Sequence, residues 1–386
     1  MRELLQILQQ AKKLSDADRS FALATVVKIG GSTYRRPGAR MLVSDEGERW
    51  GALSGGCLEG EVAQQALEVI ATGKPQLIPF DLAEDDIVLG FGTGCNGIVH
   101  VLIQPLRPHQ QSSVVEALRY CVVERKTCLM ATVIDASPAA EIALGNHLIV
   151  AEDGTLGPST IPTTFAADII DQSERFLAEE VVNPQMYLWH TRSFSTPKGA
   201  IQVLFEFVRP PVKIYIFGEG YDVHAVVAQA ILMGWEVIIV GRKPVEILKD
   251  RFPEATECKF LMHPQDVLKH VTPDVRSAGL IMNHMFSRDQ DLLHALLNSS
   301  IPYIGLLGPK ERTNQMLNAE NLHVPPANET LQKVFGPVGL DIGTETPEEI
   351  ALSAIAEIQA VLHKRQGASL KKRESPIHNS RAPIVS

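Results

Sequence analysis

Two cysteines stand in glycine-rich loops, in Ser54-Gly55-Gly56-Cys57-Leu58-Glu59 and in Gly92-Thr93-Gly94-Cys95-Asn96-Gly97. Glycine lets backbone approach a ligand closely and tolerates dihedrals that other residues resist. A thiol kept only for packing needs no such setting. Cys57 falls at the start of a helix expected from about Leu58 to Thr72, where unpaired amides and the macrodipole favour a thiolate. Glu59 in the first turn suits the same dipole but opposes the thiolate. A thiolate is a soft donor, suited to molybdenum, copper(I), zinc or a persulfide rather than to magnesium. The 38 positions between Cys57 and Cys95 match no zinc ribbon or knuckle. Cys121, Cys128 and Cys258 lack glycine neighbours and read as packing thiols. Upstream, Ser32 to Arg40 places Arg35, Arg36 and Arg40 with the aliphatic hydroxyls of Ser32 and Thr33 in one loop. Guanidinium forks there suit a phosphate or other polyanion, against the plainer reading of a turn with solvated charges.

A second constellation lies downstream. Ile214 to Val223 runs as strand, Gly218-Glu219-Gly220 turn, then helix, the setting for a phosphate at a helix N-terminus. Gly218, Gly220 and Asp222 are its candidate ligand contacts. Val223 replaces the third glycine of the dinucleotide fingerprint, and Glu219 puts a negative charge inside the turn. The next strand ends at Val240-Gly241-Arg242-Lys243, with no acid for a ribose hydroxyl and two cations that suit a phosphate. NAD(P) is therefore admitted and weakly supported. At the same expected sheet edge, His284 reads equally as a ligand contact and as a structural turn histidine. Lys310 and Arg312 read as phosphate contacts or as surface charges.

The elements that position these residues alternate in kind. Phe21 to Ile29 reads as a strand, with a short hairpin around Asp45-Glu46-Gly47 and another strand from Gly97 to Leu106. Ser113 to Arg125 reads as a helix, and Cys128–Ile134 and Ile201–Val208 as strands. Arg209-Pro210-Pro211 marks a boundary. Beyond it, strand, glycine turn and helix repeat, the pattern of a parallel sheet covered on both faces. Thr346-Pro347-Glu348-Glu349 opens the last helix with a capping box. The fold class is α/β, an N-terminal α+β domain followed by a C-terminal Rossmann-like doubly wound parallel-sheet domain. The expected divisions are 1–108 with the cysteine loops, a middle α+β segment 109–209 packed with it, the Rossmann-like domain 212–366, and a disordered basic tail 367–386.

Composition narrows the function. The net charge of −9 argues against nucleic acid as the main partner. No apolar run reaches the roughly 18 residues of a membrane span, and Met1 to Leu8 is too polar for a secretory leader. Five irregularly spaced cysteines make no disulfide framework. A cytoplasmic protein with reduced thiols is expected.

In order, Gly31-Ser32 through Arg35, Arg36 and Gly38 to Val43, then Leu53 to Glu59 and the glycine-flanked Cys95, resemble the XdhC/CoxI family of xanthine dehydrogenase accessory proteins. Ile216 to Asp222, His284 with Asp289, Tyr303 to Gly308 and Gly339 to Gly343 extend the resemblance, which covers about residues 20 to 365. It implies a chaperone rather than a turnover enzyme. Such proteins bind molybdenum cofactor (molybdopterin or its nucleotide form) while a cysteine desulfurase supplies the terminal sulfur. They then insert it into a xanthine dehydrogenase-type molybdenum hydroxylase, and a homodimer is the expected assembly. On this resemblance Cys57 and Cys95 approach molybdenum or its sulfur within the loop of Ser54, Gly55, Gly56 and Glu59. Arg36, Arg40, Gly218, Gly220, Asp222, His284 and Lys310 would hold the phosphate or nucleotide. Three positions depart from the pattern: Tyr221 replaces a common histidine, Gly241 a common acid, and Asn96 a common glycine. The alternative is an NAD(P)-dependent oxidoreductase built on the C-terminal domain, which leaves the cysteine loops without a purpose.

Overall fold

The protein is seen in a computed structural model that describes residues 1–31, 33–81, 97–110, 113–182, 189–196, 199–318 and 328–374. Cys95, Ser32 and residues 375–386 of the basic tail lie outside the described residues. The chain divides into two compact units, one from Glu3 to Pro210 and one beginning at Pro211.

The first unit contains α1 (Arg2–Asp16), β1 (Phe21–Gly30), β2 (Arg40–Ser44), β3 (Arg49–Gly51), α2 (Glu59–Thr72), β4 (Gln76–Asp81) and β5 (Ile98–Leu106). It continues with α3 (Val114–Val123), β6 (Cys128–Ala136), β7 (His147–Ala151), β8 (Leu156–Ser159), α4 (Thr163–Val182), β9 (Trp189–Thr196) and β10 (Gly199–Val208). The strands form two antiparallel sheets, ordered β3-β2-β1-β5-β4 and β8-β7-β6-β10-β9. Each sheet is buried on both faces. Along β1, Phe21 and Leu23 enter a core shared with Cys128 and Met130 of β6 and Ile149 of β7, closed by Ile7 of α1 and Leu118 of α3. The alternate residues Ala22, Ala24 and Val26 meet Val62, Ala66 and Val69 of α2 on the opposite face. On the second sheet, Leu129, Ala131 and Val133 turn away from the shared core toward Phe165, Ile169 and Phe176 of α4. The layers therefore run helix, sheet, sheet, helix. A strand with two covered faces reads as a continuous apolar run, which is how FALATVVKI reads in sequence.

The segments 1–108 and 109–209 share that core, so the shared interior packs the first sheet against the second. Helix α4, with no counterpart in the sequence reading, covers the second sheet.

The second unit contains β11 (Lys213–Phe217), α5 (Val223–Leu232), β12 (Glu236–Gly241), α6 (Val245–Arg251), β13 (Glu257–Phe260), α7 (Val267–His270) and β14 (Ser277–Ile281). Then follow α8 (Phe286–Leu297), β15 (Tyr303–Leu306), α9 (Lys310–Leu317), α10 (Asn328–Leu331), β16 (Val334–Phe335) and α11 (Pro347–Leu362). Every pairing is parallel, in the order β13-β12-β11-β14-β15-β16. That is the dinucleotide-type doubly wound arrangement, whose strand order reverses between β11 and β14. Ile214 and Ile216 face α5 and α11, whereas Tyr215 and Phe217 face the core built on Leu292, Leu293 and Leu296 of α8. The expected capping box opens α11: Thr346 Oγ1 accepts from the Glu349 amide while Glu349 Oε2 accepts from the Thr346 amide. At the far end, Leu370–Lys372 forms a short 3-10 turn.

Candidate functional site

In the first unit the site is the loop leading into α2. Glu59, the first residue of the helix, turns back over the loop. Its Oε1 accepts from the amides of Leu53 (3.0 Å) and Ser54 (2.8 Å), and its Oε2 accepts from the Ser54 hydroxyl at 2.7 Å. Ser54 Oγ in turn accepts from the amides of Gly56 (3.1 Å) and Leu58 (3.2 Å). Partial burial pushes the Glu59 carboxyl up, but the hydrogen bonds from Ser54 and Leu53 outweigh it and hold the group below the usual carboxylate range. Glu59 and the buried Ser54 thus fix the backbone of a loop whose outward residues, Gly55, Gly56 and Cys57, are exposed. Gly56 takes φ +121°, a conformation that residues with a Cβ rarely adopt, and no described residue lies within 4 Å of where a Cβ would stand. The geometry is an exposed thiol on a constrained platform.

The arginines separate. Arg35 pairs with Glu3, and Arg36 is half-buried in the turn before Gly38. Arg40 leaves the loop: its guanidinium lies between the two sheets, 2.6 Å from Glu206 Oε2 of β10, and it also donates to the Gly38 carbonyl at 2.9 Å. Both partners are buried, at 8% and 7% exposure. The expectation that Arg40 meets a ligand in the loop is corrected on this point, because its charge is neutralised in the interior. Sequence reasoning missed Glu206, since a pairing 166 positions away carries no local signal.

In the second unit the candidates gather where the strand order reverses. A side chain at Gly218 would meet the Met282 carbonyl at 2.7 Å, so only glycine lets β11 turn this close to the end of β14. The Asp222 side chain makes no cap to the α5 amides and lies instead with Oδ2 3.4 Å from His284 Nε2. His284 holds φ +61° with most of its side chain exposed. Gly218, Gly220, Asp222 and His284 therefore come together at the carboxyl ends of β11 and β14, the edge where open α/β sheets take ligands. Behind it, the fully buried Asp289 accepts from Asn283 Nδ2 (3.0 Å) and Arg312 Nη2 (2.7 Å), tying the loop after β14 to α8 and α9. Arg312 is thus a structural clamp, while Lys310 at the start of α9 is exposed. The buried Arg288 donates to the Leu261 and Met262 carbonyls. Burial lowers its pKa, Arg242 lowers it further, and Asp289 and Glu219 oppose the shift. Among the described residues no group of three or more His, Cys, Asp or Glu side chains is placed to hold a metal ion. Nor is any helix among them long and apolar enough to cross a membrane.

Comparison with known proteins follows the same two halves. The profile of the XdhC Rossmann domain matches residues 214–358, and that of the XdhC and CoxI family matches residues 14–81. A Bacillus subtilis protein described as a probable xanthine dehydrogenase subunit is 30% identical over 337 residues, 87% of this chain and 91% of the relative. The chain belongs to the XdhC/CoxI family. Another relative, the Escherichia coli molybdenum cofactor insertion chaperone PaoD, is 24% identical over 94% of this chain and 91% of its own. A solved Bacillus halodurans structure, described as a xanthine dehydrogenase, superposes with a TM-score of 0.70 at 26% identity, covering 94% of this chain and 98% of that one. XdhC/CoxI membership accounts for the pairing of an antiparallel unit bearing Cys57 with a Rossmann unit.

Proposed function

We propose that this XdhC/CoxI protein is a molybdenum cofactor chaperone, receiving the cofactor as cargo and inserting it into a xanthine dehydrogenase-type molybdenum hydroxylase. The observation that carries the reading is Cys57, an exposed thiol on a loop held by Ser54 and Glu59. A thiolate there, beside glycines that let a bulky group approach, suits a soft metal or its sulfido ligand. Cys95 is proposed as its companion. The phosphate or nucleotide of the cargo is assigned to the sheet edge at Gly218, Gly220, Asp222 and His284, with Arg36 and Lys310 as further anion contacts. Sulfuration by a cysteine desulfurase, a homodimer and a cytoplasmic setting complete the proposal. Similarity to PaoD along nearly the whole chain supports it.

The test is molybdenum and pterin content after co-expression with cofactor biosynthesis, for wild type, Cys57→Ala and Cys95→Ala. Stoichiometric loading lost in a folded cysteine variant supports the reading. A folded wild type that carries neither, with cofactor in supply, refutes it. One observation favours a second reading, an NAD(P)-dependent oxidoreductase: the strand order is that of dinucleotide-binding sheets. Quenching of tryptophan fluorescence by micromolar nicotinamide dinucleotide would move that reading forward.

A further inference from the structure

Nucleotide-binding sheets of this order commonly place an acid at the end of the second strand, where it accepts a hydrogen bond from a ribose hydroxyl. Here that strand, β12, ends in Gly241. The place of the missing side chain is taken by another residue. A Cβ built on Gly241 would lie 2.9 Å from Glu219 Oε2, so the carboxylate of the glycine turn after β11 reaches across to the end of β12. Glu219 is half-exposed, yet Oε2 is shielded from solvent and has no hydrogen-bond partner among the described residues. A carboxylate oxygen out of water without a donor is costly, and a bound hydroxyl relieves that cost. Just beyond, the exposed Arg242 rests its Nη1 3.3 Å from Met285 Sδ, placing a planar cation and a thioether after the ends of β12 and β14. A guanidinium plane is a stacking surface for a nucleobase.

We infer that Glu219 supplies from the glycine turn the ribose-hydroxyl acceptor that Gly241 lacks, so that this sheet edge of the second unit recognises a ribonucleotide without a 2′-phosphate. Glu219 and Gly241 then act as one exchange: the acid moves to the first turn, and the glycine clears the space it fills. The carboxylate repels a 2′-phosphate, which removes Arg242 from the role of a 2′-phosphate clamp. The inference rests on the chaperone reading only for the remainder of the ligand. Within that reading it selects the nucleotide form of the cofactor over plain molybdopterin, which has no ribose.

Isothermal titration with the four common ribonucleoside diphosphates and their 2′-deoxy counterparts tests it directly. At least one ribonucleotide should bind about tenfold tighter than its 2′-deoxy form, the scale of one hydrogen bond to a charged group. That ratio should fall toward one in Glu219→Ala and return in the double variant Glu219→Ala/Gly241→Asp. Adenosine 2′,5′-bisphosphate should bind more weakly than AMP. Four results would each overturn the inference. They are no binding of any ribonucleotide below millimolar, equal ribo and deoxy affinities in wild type, a ratio that survives in folded Glu219→Ala, and tighter binding of the 2′-phosphate. Loading with pterin without ribose discrimination sinks this inference and leaves the chaperone reading standing. Ribose discrimination without pterin or molybdenum does the reverse.

Discussion

Replacing Glu206 by glutamine keeps its volume and removes its charge, so the variant isolates the ion pair with Arg40. The pair spans the two sheets at 2.6 Å, with both side chains less than a tenth exposed. Breaking a buried pair from one side leaves the other charge uncompensated, a loss of about 3–5 kcal/mol. Glutamine still offers one acceptor and Arg40 keeps the Gly38 carbonyl, which places Glu206→Gln near the lower end, about 3 kcal/mol. For a unit of about 200 residues, each kcal/mol corresponds to roughly 2–4 °C, so the midpoint should fall by about 6–12 °C. Differential scanning calorimetry reads this directly. The double variant Arg40→Met/Glu206→Leu removes both charges and should recover most of the loss, because paired apolar replacements are often neutral. It should also load cofactor normally, since Arg40 faces the interior rather than a ligand. A Glu206→Gln midpoint within about 3 °C of wild type, equivalent to roughly 1 kcal/mol, would refute the buried-pair argument. Lost loading in a stable double variant would return Arg40 to the site.

Two further outcomes are expected. Iodoacetamide should modify Cys57 in the native protein, while Cys121, Cys128 and Cys258, buried in the structure, react only after unfolding. Hydrogen bonding with Cys128 and burial also raise the Cys121 thiol. Mass spectrometry of the digested protein reads the order, and early labelling of Cys128 would contradict the shared core. The Ser54 loop should loosen in acid. Because Glu59 is held below its ordinary range in the folded state, its contribution is fully present above the unfolded value of about 4.3. That contribution is lost as pH falls through the lower folded value. Amide exchange at Leu53 and Ser54 should therefore accelerate relative to neighbouring strands as pH drops below about 4, and Glu59→Ala should show the fast exchange at every pH. Unchanged protection in that variant would count against the platform.

What the sequence determined by itself was local. Gly218-x-Gly220 after an apolar run specifies a strand turning into a helix, and Thr346-Pro347-x-Glu349 specifies a capped start, because both depend on residues within a few positions. Gly55, Gly56 and Cys57 likewise announce an exposed thiol at the entrance to α2. Helix α4 is long yet illegible in the sequence, since its residues mark no terminus as clearly as Thr346 does. Pairing across the chain was decided only by the tertiary structure. Two antiparallel sheets share one interior because both faces of β1 are apolar, a property that does not say what covers them. Arg40 sits among loop arginines in sequence, yet strand register turns it inward to Glu206, and a one-residue slip would turn it out. Glu219 reads as a flaw in a phosphate turn until β12 lies beside β11 and brings Gly241 under its carboxylate. Short-range sterics and capping are written into neighbouring residues. Electrostatic partners separated by many residues exist only once packing has excluded water and chosen which charges meet.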